Sequence, residues 1–307
     1  MLNRLMNVTA RQRGLSIVEL MVALAISSFL ILGITQLYIN NKKTYLFQQS
    51  QELNQENGRF TLALLGQELA KAGYRRRPDI AVTQDFPADS GSSKTGNALG
   101  CNFAAGASVI GDASSICIRY QARDAGETDC RGQVLSAQSA TLATNADAPY
   151  KYSNASQNAV IVARFSLAAD ANFTTGAADE RPRALVCASN LLACGNGSCT
   201  RIKGDTDTDT DTAQLISGIR DLRFDYGVGI DRSVSSFTPT PSVSAANLIR
   251  TVRYSALLQS VAQGLRDTSD TPPVLGQWNK LYSTTFTGNA YLYQIAQDTI
   301  TLRNLMP

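Results

Sequence analysis

Three sets of residues have the types and spacing to do chemistry: one carboxylate, six cysteines and a run of aspartates. Glu19 stands five residues beyond Gly14, at the head of 22 consecutive residues, Leu20 to Asn41, that carry no charge. A carboxylate on an apolar helix costs roughly 2.5–3.5 kcal/mol at mid-bilayer and less near the interface, so it needs a partner or a task. The cysteines (Cys101, Cys117, Cys130, Cys187, Cys194 and Cys199) all fall in one region and can pair off completely. Fifteen connectivities are open to six cysteines, and the residues alone do not choose among them. Asp205, Asp207, Asp209 and Asp211 alternate with threonine, an oxygen-rich spacing that could attract calcium. The calcium-loop pattern fails where glycine and a bidentate glutamate are needed, because those positions hold Thr210 and Ile216. A solvated acidic loop is expected there, not a metal site.

Composition narrows the chemistry further. The chain has 307 residues and no histidine, which removes Ser-His-Asp triads, Cys-His dyads and histidine metal sites together. It also lacks a G-x-S-x-G elbow, a P-loop and a G-x-G-x-x-G turn, so neither an enzyme nor a bound cofactor is expected. Lys and Arg number 28 against 25 acids. Three arginines (Arg4, Arg11 and Arg13) lie in an acid-free stretch of fourteen residues, so the rest of the chain balances at 25 against 25. A neutral body does not suit a general nucleic-acid binder. Zinc held by Cys187, Cys194 and Cys199 would lack a fourth ligand, so an exported chain with three disulfides is the better reading.

The elements that must position these groups begin with the charge-free run. Its length crosses a hydrocarbon core of about 30 Å as a helix. Basic residues on its amino-terminal side keep the leader in the cytoplasm and export the body. A cleaved secretory signal fits poorly, because its small-x-small candidate, Ala23-Leu24-Ala25, lies inside the run and not after it. From Asn41 to Gly73 there is no proline; Leu46, Leu53 and Phe60 recur at seven-residue intervals, then Leu64, with Leu62, Leu65 and Leu69 as a second set. An amphipathic helix is predicted, capped at Gly73 and ended by Pro78. The arginines at 75–77 then satisfy carbonyls at the helix end. Residues 84–108 read as loop. Strands are predicted over 115–121, 159–166, 184–188, 215–226, 252–259 and 291–302, with a short helix over 244–250. In the first and fourth of these, Arg119 and Gln121, like Arg223 and Asp225, alternate with apolar residues, as in half-buried strands. The fold class is α+β: one long helix on an antiparallel sheet.

Gly14-Leu15-Ser16-Ile17-Val18-Glu19-Leu20-Met21-Val22-Ala23-Leu24 resembles the class III signal of type IV prepilins and type II secretion pseudopilins. That resemblance implies cleavage between Gly14 and Leu15 by a prepilin peptidase, N-methylation of Leu15, and an assembly role for Glu19 against a neighbour's amine. Leu15 departs from the family's usual phenylalanine. Residues 1–14 become a leader, 15–41 the membrane and filament-core helix, 42–73 its amphipathic continuation, and 74–307 a disulfide-bonded, β-rich head.

The body resembles the PilW group of minor pilins. The resemblance rests on Asp129-Cys130-Arg131-Gly132, Leu185-Val186-Cys187, the run Leu215 to Val228, Val252 to Ser260, and Thr301-Leu302-Arg303-Asn304. It implies the pair Cys130–Cys187. Cys194 and Cys199 enclose a tight Gly195-Asn196-Gly197-Ser198 loop that a local bridge could close, and Cys101 and Cys117 then remain for each other. Its implied function is that of a minor pilin helping to initiate and build a type IV pilus, in the inner membrane with a periplasmic head and then at the cell surface. Its implied partners are the peptidase, other minor pilins and the major pilin. A J-group secretion pseudopilin, an adhesin-type head and a membrane-tethered periplasmic enzyme are the alternatives.

Overall fold

Nothing between the charge-free run and Gly73 gives a helix reason to break. In the computed structural model a single helix, α1, runs Ile17–Ala70 over 54 residues. The structure describes residues 14, 16–76, 78–91, 96–123, 126–134, 158–170, 173, 180–195, 197–202, 212–230, 233–242, 248–266, 270–288 and 290–306. The chain divides into two units, one ending at Gln49 and one starting at Ser50. In the first, the apolar side chains of α1 from Ile17 to Ile39 are exposed.

The second unit is built on an antiparallel sheet. Its strands are β1 (Val109–Gly111), β2 (Ile116–Gln121), β3 (Asn158–Ala169), β4 (Arg183–Gly195), β5 (Ser198–Arg201), β6 (Thr212–Val228), β7 (Ser236–Thr238), β8 (Ile249–Gln259) and β9 (Tyr293–Thr301). The order across the sheet is β1-β2-β3-β4-β6-β8-β9, with β5 paired to β4 and β7 to β6. All six predicted strands form, while β1, β5 and β7 are short additions that periodicity did not reveal. A four-residue helix, α2 (Val82–Asp85), and a ten-residue helix, α3 (Pro273–Tyr282), are also additions. The helix predicted over 244–250 gives way to strand β8 from Ile249; residues 243–247 lie outside the described residues.

The face of α1 that meets the sheet includes Leu65 and Leu69 of the second leucine set but not the seven-residue row of Leu53 and Phe60. Its buried residues are Ser50, Asn54, Gly58, Thr61, Leu65 and Leu69, whereas Leu53 and Phe60 are 42% and 60% exposed. Space is the reason. The sheet face beneath α1 already carries Phe224, Tyr254 and Leu258, fully or almost fully buried, so the helix must approach with small residues. A Cβ added at Gly58 would sit 3.3 Å from Ala296 Cβ, and one at Gly66 would sit 3.1 Å from Tyr254 Oη. Polar groups lock the seat. Tyr254 Oη donates to Leu62 O (3.1 Å), Asn54 Nδ2 to Leu292 O (3.3 Å) and Asn57 Nδ2 to Ser217 O (3.2 Å). Gly218 adopts φ +81° beside that last contact, where the β4–β6 register shifts nearby. The helix ends as predicted before Gly73 (φ +73°), but its last carbonyls are satisfied by another residue. Asn304 Nδ2 donates to Ala70 O and Ala72 O at 3.0 and 3.2 Å, while Arg75 reaches forward to Ile80 O at 2.8 Å. Arg77 lies outside the described residues.

Strand β2 departs most from its predicted half-buried state: every residue in it is buried, including Arg119 at 0% exposure. The residues read as open loop fold back over its outer face. Arg119 donates from Nε to Ala107 O (2.6 Å), from Nη1 to Pro87 O (2.6 Å), and from Nη2 to Phe86 O (3.2 Å) and Ala104 O (3.0 Å). Its guanidinium carbon lies 5.3 and 4.6 Å from the ring centroids of Phe86 and Phe103. Burial pulls its pKa down to about 9, with the charge of Asp89 opposing, so the cation is retained at neutral pH. A second knot holds the same segment. Asp89 accepts from Asn97 Nδ2 (2.9 Å) and Gly91 N (3.0 Å), and Asn190 Nδ2 donates to Asn97 O (2.6 Å).

The cysteines pair as Cys101–Cys117, Cys130–Cys187 and Cys194–Cys199. The first ties the covering segment to β2. The third crosses the β4–β5 hairpin between directly opposed residues with Cα atoms 4.1 Å apart. At the second, Asp129 explains the Asp-Cys-Arg-Gly run. Its Oδ1 accepts from Arg131 N and Gln133 N, both at 2.9 Å, and its Oδ2 from Arg131 Nε at 3.0 Å. Gly132 turns with φ +78°, and Cys130 is presented to β4 from this rigid turn.

Two measurements check this packing. Arg119→Met leaves several buried carbonyls without a donor and should cost about 3–5 kcal/mol. That corresponds to a melting point lower by roughly 6–20 °C for a unit of this size; a melt within ~2 °C of the parent would show that the segment holds without its cation. Joint replacement of Cys130 and Cys187 by alanine should cost about 2–4 kcal/mol, and non-reducing peptide mapping of the parent should recover that cross-linked pair. Recovery of a different partner for Cys130 would contradict the pairing.

Candidate functional site

The residues around Gly14 open α1. Gly14 and Ser16 are exposed ahead of the helix; Leu15 and residues 1–13 lie outside the described residues. Ser16 and Glu19 have the S-x-x-E spacing of a capping box. Glu19 Oε2 accepts from Ser16 N at 3.3 Å, Ser16 Oγ accepts from Val18 N at 3.4 Å, and Leu20 N donates to Ser16 O at 3.1 Å. Glu19 is thus in the first turn, where the helix dipole also favours negative charge. The partner that a carboxylate on an apolar helix needs is supplied in part by the helix start itself, as an N–H. The motif was legible as Ser16-Ile17-Val18-Glu19, and Ser16 is the site residue that the sequence reading missed.

Beyond Glu19 the helix solves the polar problem of an apolar environment internally. Ser27 Oγ donates to Ala23 O (2.7 Å), Ser28 Oγ to Leu24 O (2.5 Å) and Thr35 Oγ1 to Ile31 O (2.7 Å). α1 contains a stretch long and apolar enough to cross a membrane, with none of it buried.

All six cysteines are in disulfides, so no thiolate is available, and among the described residues no cluster of three metal-ligating side chains occurs. Asp205, Asp207, Asp209 and Asp211 lie outside the described residues. The segments that carried the family resemblance do structural work instead. The Asp129 turn presents Cys130, Gly218 admits Asn57 to Ser217 O, and Asn304 caps α1.

Comparison with known proteins agrees with this arrangement. Residues 9–35 match the prokaryotic N-terminal methylation motif, and residues 173–304 match the family described as Type IV Pilus-assembly protein W. No curated protein matches the chain significantly. Among solved structures, a type IV-like pilin from Thermus thermophilus aligns at 12% identity over 82% of this chain and 96% of its own length, with a TM-score of 0.39. The methylation motif covers the start of α1, and the assembly-protein match takes in β4 through β9, so the chain joins a type IV pilin N-methylation motif to a domain similar to the PilW family.

Proposed function

We propose that this chain is a minor pilin, cleaved between Gly14 and Leu15, N-methylated on Leu15, and used to initiate and build a type IV pilus. The observation that carries the reading is the coincidence of the methylation motif at 9–35 with a helix start three residues past Gly14 and an exposed apolar helix beyond it. Before assembly the helix holds the protein in the inner membrane as a single pass with its head in the periplasm. Afterwards the same apolar surface packs among other minor pilins and the major pilin at the cell surface. The assembly-protein match over 173–304 favours the pilus over a secretion pseudopilus. The role is structural, not enzymatic.

Glu19 is the assembly residue in this reading. When the subunit is alone, the Ser16 N–H caps its carboxylate. In the assembly the same carboxylate takes the cationic amine of a neighbour, so that two charges leave water as a pair. Glu19→Gln separates the two roles, because a glutamine keeps the capping geometry and loses the charge.

Intact-mass measurement of protein from its native host should begin at Leu15 with one added methyl group; a start at Met1 where the peptidase is present would refute the processing. Glu19→Gln and Glu19→Ala should both recruit partner pilins about tenfold less in co-purification, the loss of one charge-assisted bond. Recruitment by Glu19→Gln equal to the parent would mean that the carboxylate works only as a helix cap.

A further inference from the structure

The sheet has one long edge that no described part of the chain closes. β9 pairs with β8 through nine consecutive residue pairs without a register shift, and among the described residues no strand pairs with its other side. At the far edge β1 has three residues and is shut in. Val109 is fully buried, and the turn after β1 gives Ala113 O to Phe224 N at 3.0 Å. β5 and β7 are hairpin arms of four and three residues. β9 also lacks the usual guards of a free edge: it contains no proline, no lysine and no bulge.

The hydrogen-bond pattern identifies which groups are open. In an antiparallel ladder, residues alternate between bonding the partner strand and pointing away from it. Ser260 N donates to Leu292 O and Leu302 N to Arg250 O, so the even-numbered residues of β9 are the ones that bond β8. Tyr293, Ile295 and Gln297 therefore present their N–H and C=O groups outward, and among the described residues none of these six groups has a partner. The next outward amide is capped. Thr299 N donates to Asp298 Oδ1 at 2.7 Å, while Asp298 Oδ2 accepts from Tyr254 Oη at 3.3 Å. The open stretch is 293–297, with three donors, three acceptors and no charged residue.

Geometry selects the occupant. A second copy would pair antiparallel about a two-fold axis normal to the sheet, and that axis reverses α1. Subunits that enter one membrane with their amino termini in the cytoplasm cannot be related in this way, a constraint that rests on the function proposed above. A head-to-tail row of copies would need an open edge at β1, which is shut. A strand from a different pilin-like subunit meets neither obstacle. The open stretch also adjoins the helix by which such subunits associate: Ala296 lies under α1, where a Cβ at Gly58 would be 3.3 Å from its own. On the other face Tyr293 and Ile295 are partly buried against Leu275 and Trp278 of α3, which favours an apolar or β-branched guest residue opposite Ile295. We propose that residues 293–297 accept an extended segment of a different pilin-like subunit as an added strand, held by up to six main-chain hydrogen bonds.

The test compares the full chain alone in detergent with the pilin assembly co-purified from its native host. The Ile295 and Gln297 amides should exchange with deuterium at least about tenfold more slowly in the assembly. Gln297→Pro removes one outward N–H and breaks no bond to β8, as edge positions allow. It should lower recovery of partner pilins about tenfold, with the melting point of the head within ~2 °C of the parent. Should that variant fail to fold, the exchange comparison on the parent decides alone. Equal exchange in the two states, or parent-like recruitment by folded Gln297→Pro, overturns the strand addition and leaves the minor-pilin reading standing. A parent that recruits no pilin overturns both. A lone chain that is dimeric, and monomeric as Gln297→Pro, would give the edge to a second copy and overturn the proposed occupant.

Discussion

One helix face decides how this protein is built. From Ser50 onward α1 must lie close enough to a sheet of large side chains for Tyr254 to reach a helix carbonyl, and only small or hydrogen-bonded residues permit that distance. Gly58 and Gly66 admit Ala296 and Tyr254; Asn54 and Asn57 give their amides to strand and loop carbonyls. Leu65 and Leu69 then close the core at the end where the sheet leaves room. Because this face is small and polar, the larger apolar residues Leu53 and Phe60 are left on the outside. In a subunit that assembles by its helix, a surface spared by its own core is available to a neighbour.

The same demand for close packing recurs at the other end of the sheet in a different form. There the cover is a segment poor in regular structure, and its many backbone carbonyls would be costly to bury without donors. Arg119 supplies donors to four of them from the middle of a strand, between two phenylalanine rings. The Asp89–Asn97–Asn190 contacts and the Cys101–Cys117 bridge complete a cover that could not be held by apolar burial alone.

This explains which parts of the fold were legible. Period-two alternation marked β6, whose inward residues face a continuous core; β-like runs between polar turns located β3 and β8, and the charge-free run located α1. Alternation in β2 was also real, yet Arg119 read as a solvent-facing residue, since nothing in a local window announces that a distant loop will cover it. The leucine heptad misled for the opposite reason: burial on α1 follows the space the sheet leaves, not side-chain apolarity. α3 was readable in principle. Pro273 at a helix start followed by Leu275, Trp278 and Tyr282 at helical spacing is a signal, obscured by Gly276 and loop-like flanks. At the candidate site Gly14 and Glu19 stood out by spacing, while Ser16 became visible as a cap only with the geometry of the first turn.

The division of α1 into a core face and a spared face is the central claim, and a pair of substitutions tests it most directly. Leu65→Asp places a charge in the sealed core and should destabilise by more than ~4 kcal/mol, lowering the melting point of the head by more than about 8 °C. Phe60→Asp should leave that melt within ~2 °C of the parent, as an exposed substitution does, yet reduce incorporation of the subunit into filaments. A head that unfolds with Phe60→Asp, or that tolerates Leu65→Asp, would mean that the helix is seated on the sheet by its leucine row after all.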